Sequence, residues 1–233
     1  MHTESLPSPV AHDAVLQRLQ ALDSTLISDA LDALGLPSGT GALQPLGASV
    51  PVAGRVRTVE LGPATPGAAP GPHIATQAIA AASAGDVIVV ANDGRTDVSC
   101  WGGLLSLGAA QRGVRGVVVD GACRDVAEAR ELGFPVFARG VTPRTARTRL
   151  AQIAVAGTVV IDEIPVNDGD YVVADDSGIA FVPAARVHEI LDRAEWAQRC
   201  EAAIAADIRA GVGIDEAMHD ARLTAQTDTE TNR

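Results

Sequence analysis

Hydrophobic and polar positions change their period along the chain, and the changes mark out its elements. Over Ser24–Leu36, "STLISDALDALGL", Leu26, Ile27, Ala30, Leu31 and Leu34 share one helical face. Asp23 or Ser24 can cap the start of that helix, and Gly35 can end it. "PVAGRVRTVEL" then alternates as a half-buried strand, and the Pro/Gly-rich "GPATPGAAPGPH" (residues 62–73) predicts a flexible loop. Helical and strand patterns take turns from there. Residues 73–84 predict an Ala-rich helix, "GDVIVVAN" a buried strand, and residues 102–113 a helix with a glycine-rich first turn. "GVVVDG", "RDVAEARELG" and "FPVFARG" follow as strand, short helix and strand.

Short apolar strands alternating with helices predict an α/β fold with a central, mostly parallel sheet flanked by helices. "AQIAVAGTVVID", "DYVVADD" and "GIAFVP" predict a further β-rich layer with tight turns, followed by a long helix over about residues 184–210. With no internal repeat and no second core, the reading is one domain over residues 13–222, between polar flexible tails at 1–12 and 223–233.

Composition narrows the chemistry. Aromatic residues make up only 3% of the chain, so Val, Ile, Leu and Ala must build the core. A formal net charge of −11 disfavours phosphate backbones and anionic membranes, so neither a nucleic acid nor a membrane is expected as partner. No window reaches the roughly 18 uninterrupted apolar residues of a membrane span, and "MHTESLPSPVAHD" has no signal-peptide pattern. Cys100, Cys123 and Cys200 lack metal-type spacing, which points to a reduced, cytoplasmic protein. All 18 basic residues are arginines. Without lysine there is no Schiff base, no covalent pyridoxal phosphate and no P-loop.

Two glycine-bounded turns carry candidate chemistry. Gly102-Gly103-Leu104-Leu105 opens a helix, where free amide N–H groups can cradle a carboxylate or phosphate. Arg124-Asp125 follows the strand "GVVVDGAC" and opens the next helix. Both turns should lie at the carboxyl ends of strands, where open α/β sheets collect ligands. Each has a plainer reading: a packing turn for Gly-Gly, a solvated charge for Arg124, a helix cap for Asp125 with Glu128 as its reciprocal partner. Other residues carry less. The five histidines (His2, His12, His73, His188, His219) form no metal motif, although His73 is placed to meet a substrate or simply lie at the surface. Asp175-Asp176 reads as a structural strand-end turn, and Cys123 as a small packed residue rather than a nucleophile. Arg139 and Arg144 could bind a second carboxylate or be exposed.

Gly103, twenty intervening residues, Arg124-Asp125, two more residues and Glu128 form the pattern G-x20-R-D-x2-E. With "WGGLL", "GVVVDGACRD", "FPVFARGVTP", "GDYVVADDSGIAFVP" and "ISDALDALG", the chain resembles the class II pyruvate aldolases acting on 4-hydroxy-4-methyl-2-oxoglutarate and 4-carboxy-4-hydroxy-2-oxoadipate. These belong with the regulators of ribonuclease activity A (RraA), and the likeness covers about residues 15–215. The resemblance implies a single RraA-like domain of swivelling β/β/α type. It implies a divalent metal, Mg²⁺ or Mn²⁺, with Asp125 as the protein ligand and waters and a 2-oxo acid completing the shell. Gly103, Leu104 and Leu105 would hold the substrate carboxylate, Arg124 the enolate oxygen, and Glu128 a metal-bound water or Arg124. The base would be metal-bound water or a carboxylate of a neighbouring subunit, Glu195 or Glu201, in a homotrimer or homohexamer. Oxaloacetate decarboxylation would accompany the lyase activity. The alternatives are a non-catalytic protein that inhibits an endoribonuclease, or an enzyme using this site on another 2-oxo acid.

Overall fold

The structure, a computed structural model, describes residues 9–67 and 71–219. The chain begins with α1 (Pro9–Gln20), α2 (Ser24–Ala33), β1 (Gln44–Pro45) and β2 (Val52–Pro63). An alternating region follows: α3 (Thr76–Ala81), β3 (Asp86–Trp101), α4 (Gly103–Gln111), β4 (Gly116–Cys123), α5 (Val126–Glu131) and β5 (Val136–Val141). Then come β6 (Leu150–Val155), β7 (Thr158–Ile161), β8 (Ile164–Asn167), β9 (Tyr171–Asp175) and β10 (Gly178–Val182). A long α6 (Val187–Arg209) and a short α7 (Ile214–Ala217) complete the described chain.

Strands β2, β3, β4 and β5 are parallel neighbours, and β1, β6, β9 and β10 join them antiparallel in one sheet ordered β1-β5-β4-β3-β2-β9-β10. Strand β2 shares its second edge between two partners, β9 along Val52–Arg55 and β6 along Val59–Pro63. A bulge between Glu60 and Leu61 accommodates the switch. The sheet thereby curls into a near-barrel. Every residue of β4 is buried, which explains its unbroken apolar run. Val118 turns inward with Val89, Phe137 and Ile161, and the β7–β8 hairpin helps fill this enclosed side. Val117 and Val119 turn outward into a second cluster with Ala109 of α4 and Ala129 of α5. The remaining layer, α1, α2 and α6, packs Leu19, Ile27, Leu31, Ile190 and Leu191 against β9 and β10.

The α/β class, the mostly parallel centre and the long C-terminal helix match the sequence expectation, while several boundaries differ. Residues 9–12, expected in the N-terminal tail, form the first turn of α1. The predicted helix over 73–84 is confined to Thr76–Ala81, because Ala75 adopts a left-handed conformation (φ 62°) at its start. Strand β3 runs well past Asn92, since Asp93 and Gly94 (φ 51° and 65°) absorb a bulge and pairing with β4 resumes. Gly62 and Pro63 end β2 rather than begin a loop. Residues 68–70 of that loop and the tails 1–8 and 220–233 lie outside the described residues. Among the described residues, no helix is long and apolar enough to cross a membrane.

Candidate active site

The parallel strands β3 and β4 end side by side, with Trp101 registered on Cys123, so the turns that follow them meet. The Arg124 amide donates to the Trp101 carbonyl (3.0 Å), which locks the two strand ends together. Asp125 sits at the N-cap position of α5 in a left-handed conformation (φ 57°). Its side chain does not cap that helix. Instead Oδ2 accepts a hydrogen bond from the amide of Gly103, at the start of α4 (3.1 Å), and lies 3.2 Å from Nε of Arg124. The cap reading for Asp125 is therefore corrected: the carboxylate crosses to the neighbouring helix.

Both glycines are required by this approach. A Cβ on Gly102 would stand 2.8 Å from Oδ2 of Asp125, and one on Gly103 would stand 1.8 Å from Oε2 of Glu128. Glu128 thus lies over Gly103, not in a reciprocal bond at its own helix start. The spacing of Gly103, Arg124, Asp125 and Glu128 in sequence becomes one cluster in space.

Gly103, Arg124 and Asp125 of this cluster line a cleft of about 140 Å³. Trp101 is buried in its wall, with Nε1 donating to Oγ of Ser106 (2.9 Å), and Ser106 in turn donates to the Gly102 carbonyl (3.3 Å). Leu104 and Leu105 line the same cleft, and their first-turn amides have no intrahelical partner. His73 also lines it, its Nδ1 donating to the Ile74 carbonyl (3.2 Å). Thr145 and Arg147, which the sequence reading did not single out, complete the polar lining. They come from the irregular β5–β6 connection, where no periodicity marks them.

Other candidates fall elsewhere. Arg139 pairs with Asp120 and Asp162, tying the β7–β8 turn to the sheet, so it is not a free anion ligand. Arg144 is exposed and stands 4.0 Å from Asp97. Glu195 is gripped by Arg18 through both oxygens (2.5 and 2.9 Å), a clamp between α1 and α6. Glu201 is exposed on α6; burial, then the nearby charges of Asp23 and Asp29, raise its carboxyl. Helix α6 packs in the layer of α1 and α2, whereas α4 and α5 flank the other core, so Glu201 and Asp125 are not brought together within one chain. Burial pushes the Cys123 thiol to about 11 and the Cys100 thiol to about 12, in keeping with packed, unreactive roles. Asp175 is structural, accepting from the amide and hydroxyl of Ser24 (both 2.7 Å).

The fold is thus a parallel-centred near-barrel with paired glycines, an arginine and a carboxylate gathered at its strand ends. The family model "RraA-like: Aldolase/RraA" matches residues 24–181, and the chain belongs to that family. It is 32% identical over 185 residues to a Halalkalibacterium halodurans protein that provisionally carries the name 4-hydroxy-4-methyl-2-oxoglutarate aldolase, covering 78% of this chain and 83% of that one. It is 31% identical over 206 residues to protein DlpA of Legionella pneumophila. That match covers 88% of this chain, which spans only 33% of DlpA. Among solved structures, Streptomyces coelicolor RraAS2, described as an unusual member of the RNase ES inhibitor RraA protein family, superposes with a TM-score of 0.74 at 29% identity, covering 84% of this chain and 96% of that one.

Proposed function

We propose that the protein is a divalent-metal-dependent lyase that cleaves a 4-hydroxy-2-oxo diacid, of the 4-hydroxy-4-methyl-2-oxoglutarate or 4-carboxy-4-hydroxy-2-oxoadipate type, to pyruvate. The observation that carries this reading is the bond from the Gly103 amide to Asp125, with Arg124 on the same carboxylate oxygen. It joins an anion cradle, a cation and a carboxylate in one cleft. The aldolase name of the Halalkalibacterium relative supports the same chemistry.

The residues fit a metal of particular character. Oδ2 of Asp125 is engaged, while Oδ1 has no hydrogen bond among the described residues. No group of three or more His, Cys, Asp or Glu residues suited to a metal occurs among them. One carboxylate, with water and substrate oxygens for the rest, suits Mg²⁺ or Mn²⁺. Such an ion supplies Lewis-acid stabilisation of the charge that develops on the keto oxygen. The chain does the rest. The Leu104 and Leu105 amides bind the substrate's 1-carboxylate, and Arg124 donates to the keto oxygen as the C3–C4 bond breaks and pyruvate leaves as its enolate. Glu128 steadies Arg124 or an ordered water beside Gly103. Oxaloacetate gives the same enolate by losing carbon dioxide, so decarboxylation is a side activity.

The C4 hydroxyl proton requires a base, for which Glu201 of a neighbouring subunit remains the candidate. Leu104 and Val141, exposed apolar residues beside Arg124 and Asp125, support a homotrimer or homohexamer in which a neighbour covers the cleft. We place this enzyme in the cytoplasm.

The likeness to RraAS2 favours a second reading, binding of an endoribonuclease without turnover. Pyruvate release, followed by coupling to lactate dehydrogenase, separates the two. Metal-dependent release from 4-hydroxy-4-methyl-2-oxoglutarate and from oxaloacetate is expected, abolished by EDTA. Absence of release from either, with nanomolar binding to an endoribonuclease, would favour the second reading.

A further inference from the structure

We propose that Arg147 is a specificity-determining residue that binds the distal carboxylate of the substrate and makes the cleft selective for dicarboxylic 2-oxo acids. This rests on the lyase reading for the identity of the substrate, though the selectivity itself is measurable without turnover.

Acidic residues outnumber arginines 29 to 18, so most arginines near a carboxylate find one. Arg18, Arg57, Arg95, Arg139 and Arg186 each hold a carboxylate at hydrogen-bond distance. The guanidinium of Arg147 holds none among the described residues, and in this it resembles surface residues such as Arg199. Arg147 differs from Arg199 in lining the cleft that contains Gly103, Arg124 and Asp125. Arg124 lies against Asp125 and is assigned the keto oxygen, so among the described residues Arg147 is the arginine of the cleft with no carboxylate beside it.

The backbone that carries Arg147 is held in place. Ala146 is buried in the outer core, and its carbonyl accepts from the amides of Arg149 (2.8 Å) and Leu150 (2.9 Å). The Arg147 amide donates to Oγ1 of Thr145 (3.2 Å). The next residue, Thr148, is β-branched yet sits at φ 65°, an unfavourable conformation that persists only where the surroundings impose it. Ala75, across the cleft wall beside His73 and Ile74, is likewise left-handed at φ 62°. Among the described residues, three of the seven non-glycine residues of positive φ thus line this cleft (Asp125) or adjoin a residue that does (Ala75 and Thr148). Strain concentrated there fits a preset binding geometry. A planar guanidinium with five donors suits a carboxylate, which it can meet with two parallel hydrogen bonds.

The probes are 2-oxoglutarate and 2-oxopentanoate, which share the 2-oxo acid end and differ by a terminal carboxylate against a methyl group. Calorimetry in Mg²⁺ should give tighter binding of 2-oxoglutarate to the wild-type protein. Arg147→Gln should lower the affinity ratio of the two by about 10- to 100-fold, the range for losing a hydrogen bond to a charged group. Arg147→Lys should recover part of the ratio. In the pyruvate-release assay the same Gln variant should raise KM for the diacid far more than it lowers kcat. An unchanged affinity ratio, or equal loss for both probes, would overturn the proposal. If the wild type releases no pyruvate but the ratio still depends on Arg147, the lyase reading fails and the carboxylate site stands.

Discussion

Gly103 is the residue at which the site is most exposed to change, because its missing side chain is what lets Glu128 and Asp125 close over the start of α4. In Gly103→Ala the new methyl would meet the Glu128 carboxylate at 1.8 Å and Cβ of Asp125 at 3.3 Å, so the Glu128 side chain must swing away from the start of α4 and Asp125 is crowded. Displacements of about 1 Å at reacting groups cost about 10²-fold in rate. A loss of that size in kcat, with an unchanged far-ultraviolet circular dichroism spectrum, is the expected outcome; near-wild-type turnover would show that Glu128 and Asp125 need not close there. Arg124→Met should cost about 10²–10³-fold in kcat, as for loss of a donor to a developing oxyanion. The two turns were legible in the sequence as strand-to-helix junctions, and the resemblance to the aldolase pattern G-x20-R-D-x2-E singled out Gly103, Arg124, Asp125 and Glu128. Arg147 was not legible. It lies in a connection with Arg144 and Arg149 nearby, and only the tertiary path separates the one that enters the cleft from the two that do not.

At the scale of elements, the hydrophobic period located the buried strands well because burial on both faces leaves little ambiguity, as in the valines of β4. It failed where polar residues continue a strand. "DGRTDVSC" looks like a turn, yet β3 passes through it on a bulge and returns to pair with β4 at Ser99 and Trp101. That extension carries Trp101 to the cleft wall. Helix α1 buries Val15, Leu16 and Leu19, but the polar residues before them hide the periodicity in the sequence. Helix α2 is tied to the β9–β10 hairpin by Ser24 and Asp175. Burial alone would raise the Asp175 carboxyl, but bonds from the Ser24 amide and hydroxyl and the Ser177 and Gly178 amides hold it below its ordinary range. A depressed folded value means that this stabilisation is complete above about pH 4 and is lost as pH falls through the folded value. Ser24→Ala should therefore cost about 1 kcal/mol at pH 7. Urea unfolding should show the difference from wild type shrinking in acid; a difference that grew there would refute the assignment.

For the whole molecule, the curled sheet fixes where chemistry can occur. Parallel β3 and β4 bring two helix starts to one edge, while the enclosed face is filled by apolar side chains. Phe137, fully buried in that interior, should cost about 3–5 kcal/mol when replaced by Ala. The loss should appear in the urea midpoint before it appears in the affinity for 2-oxoglutarate. The absence of lysine argues against imine chemistry from the sequence alone, and the proposed alternative uses the Asp125 carboxylate beside the Gly103 amide. The central claim is that Asp125 makes pyruvate release depend on a divalent ion. The most direct test is a Mg²⁺ titration of pyruvate release from 4-hydroxy-4-methyl-2-oxoglutarate by the EDTA-treated wild type and by Asp125→Ala. Saturable recovery of activity in the wild type, with none in the variant at any Mg²⁺ concentration, is the predicted result. Equal, metal-independent release by both proteins would contradict it.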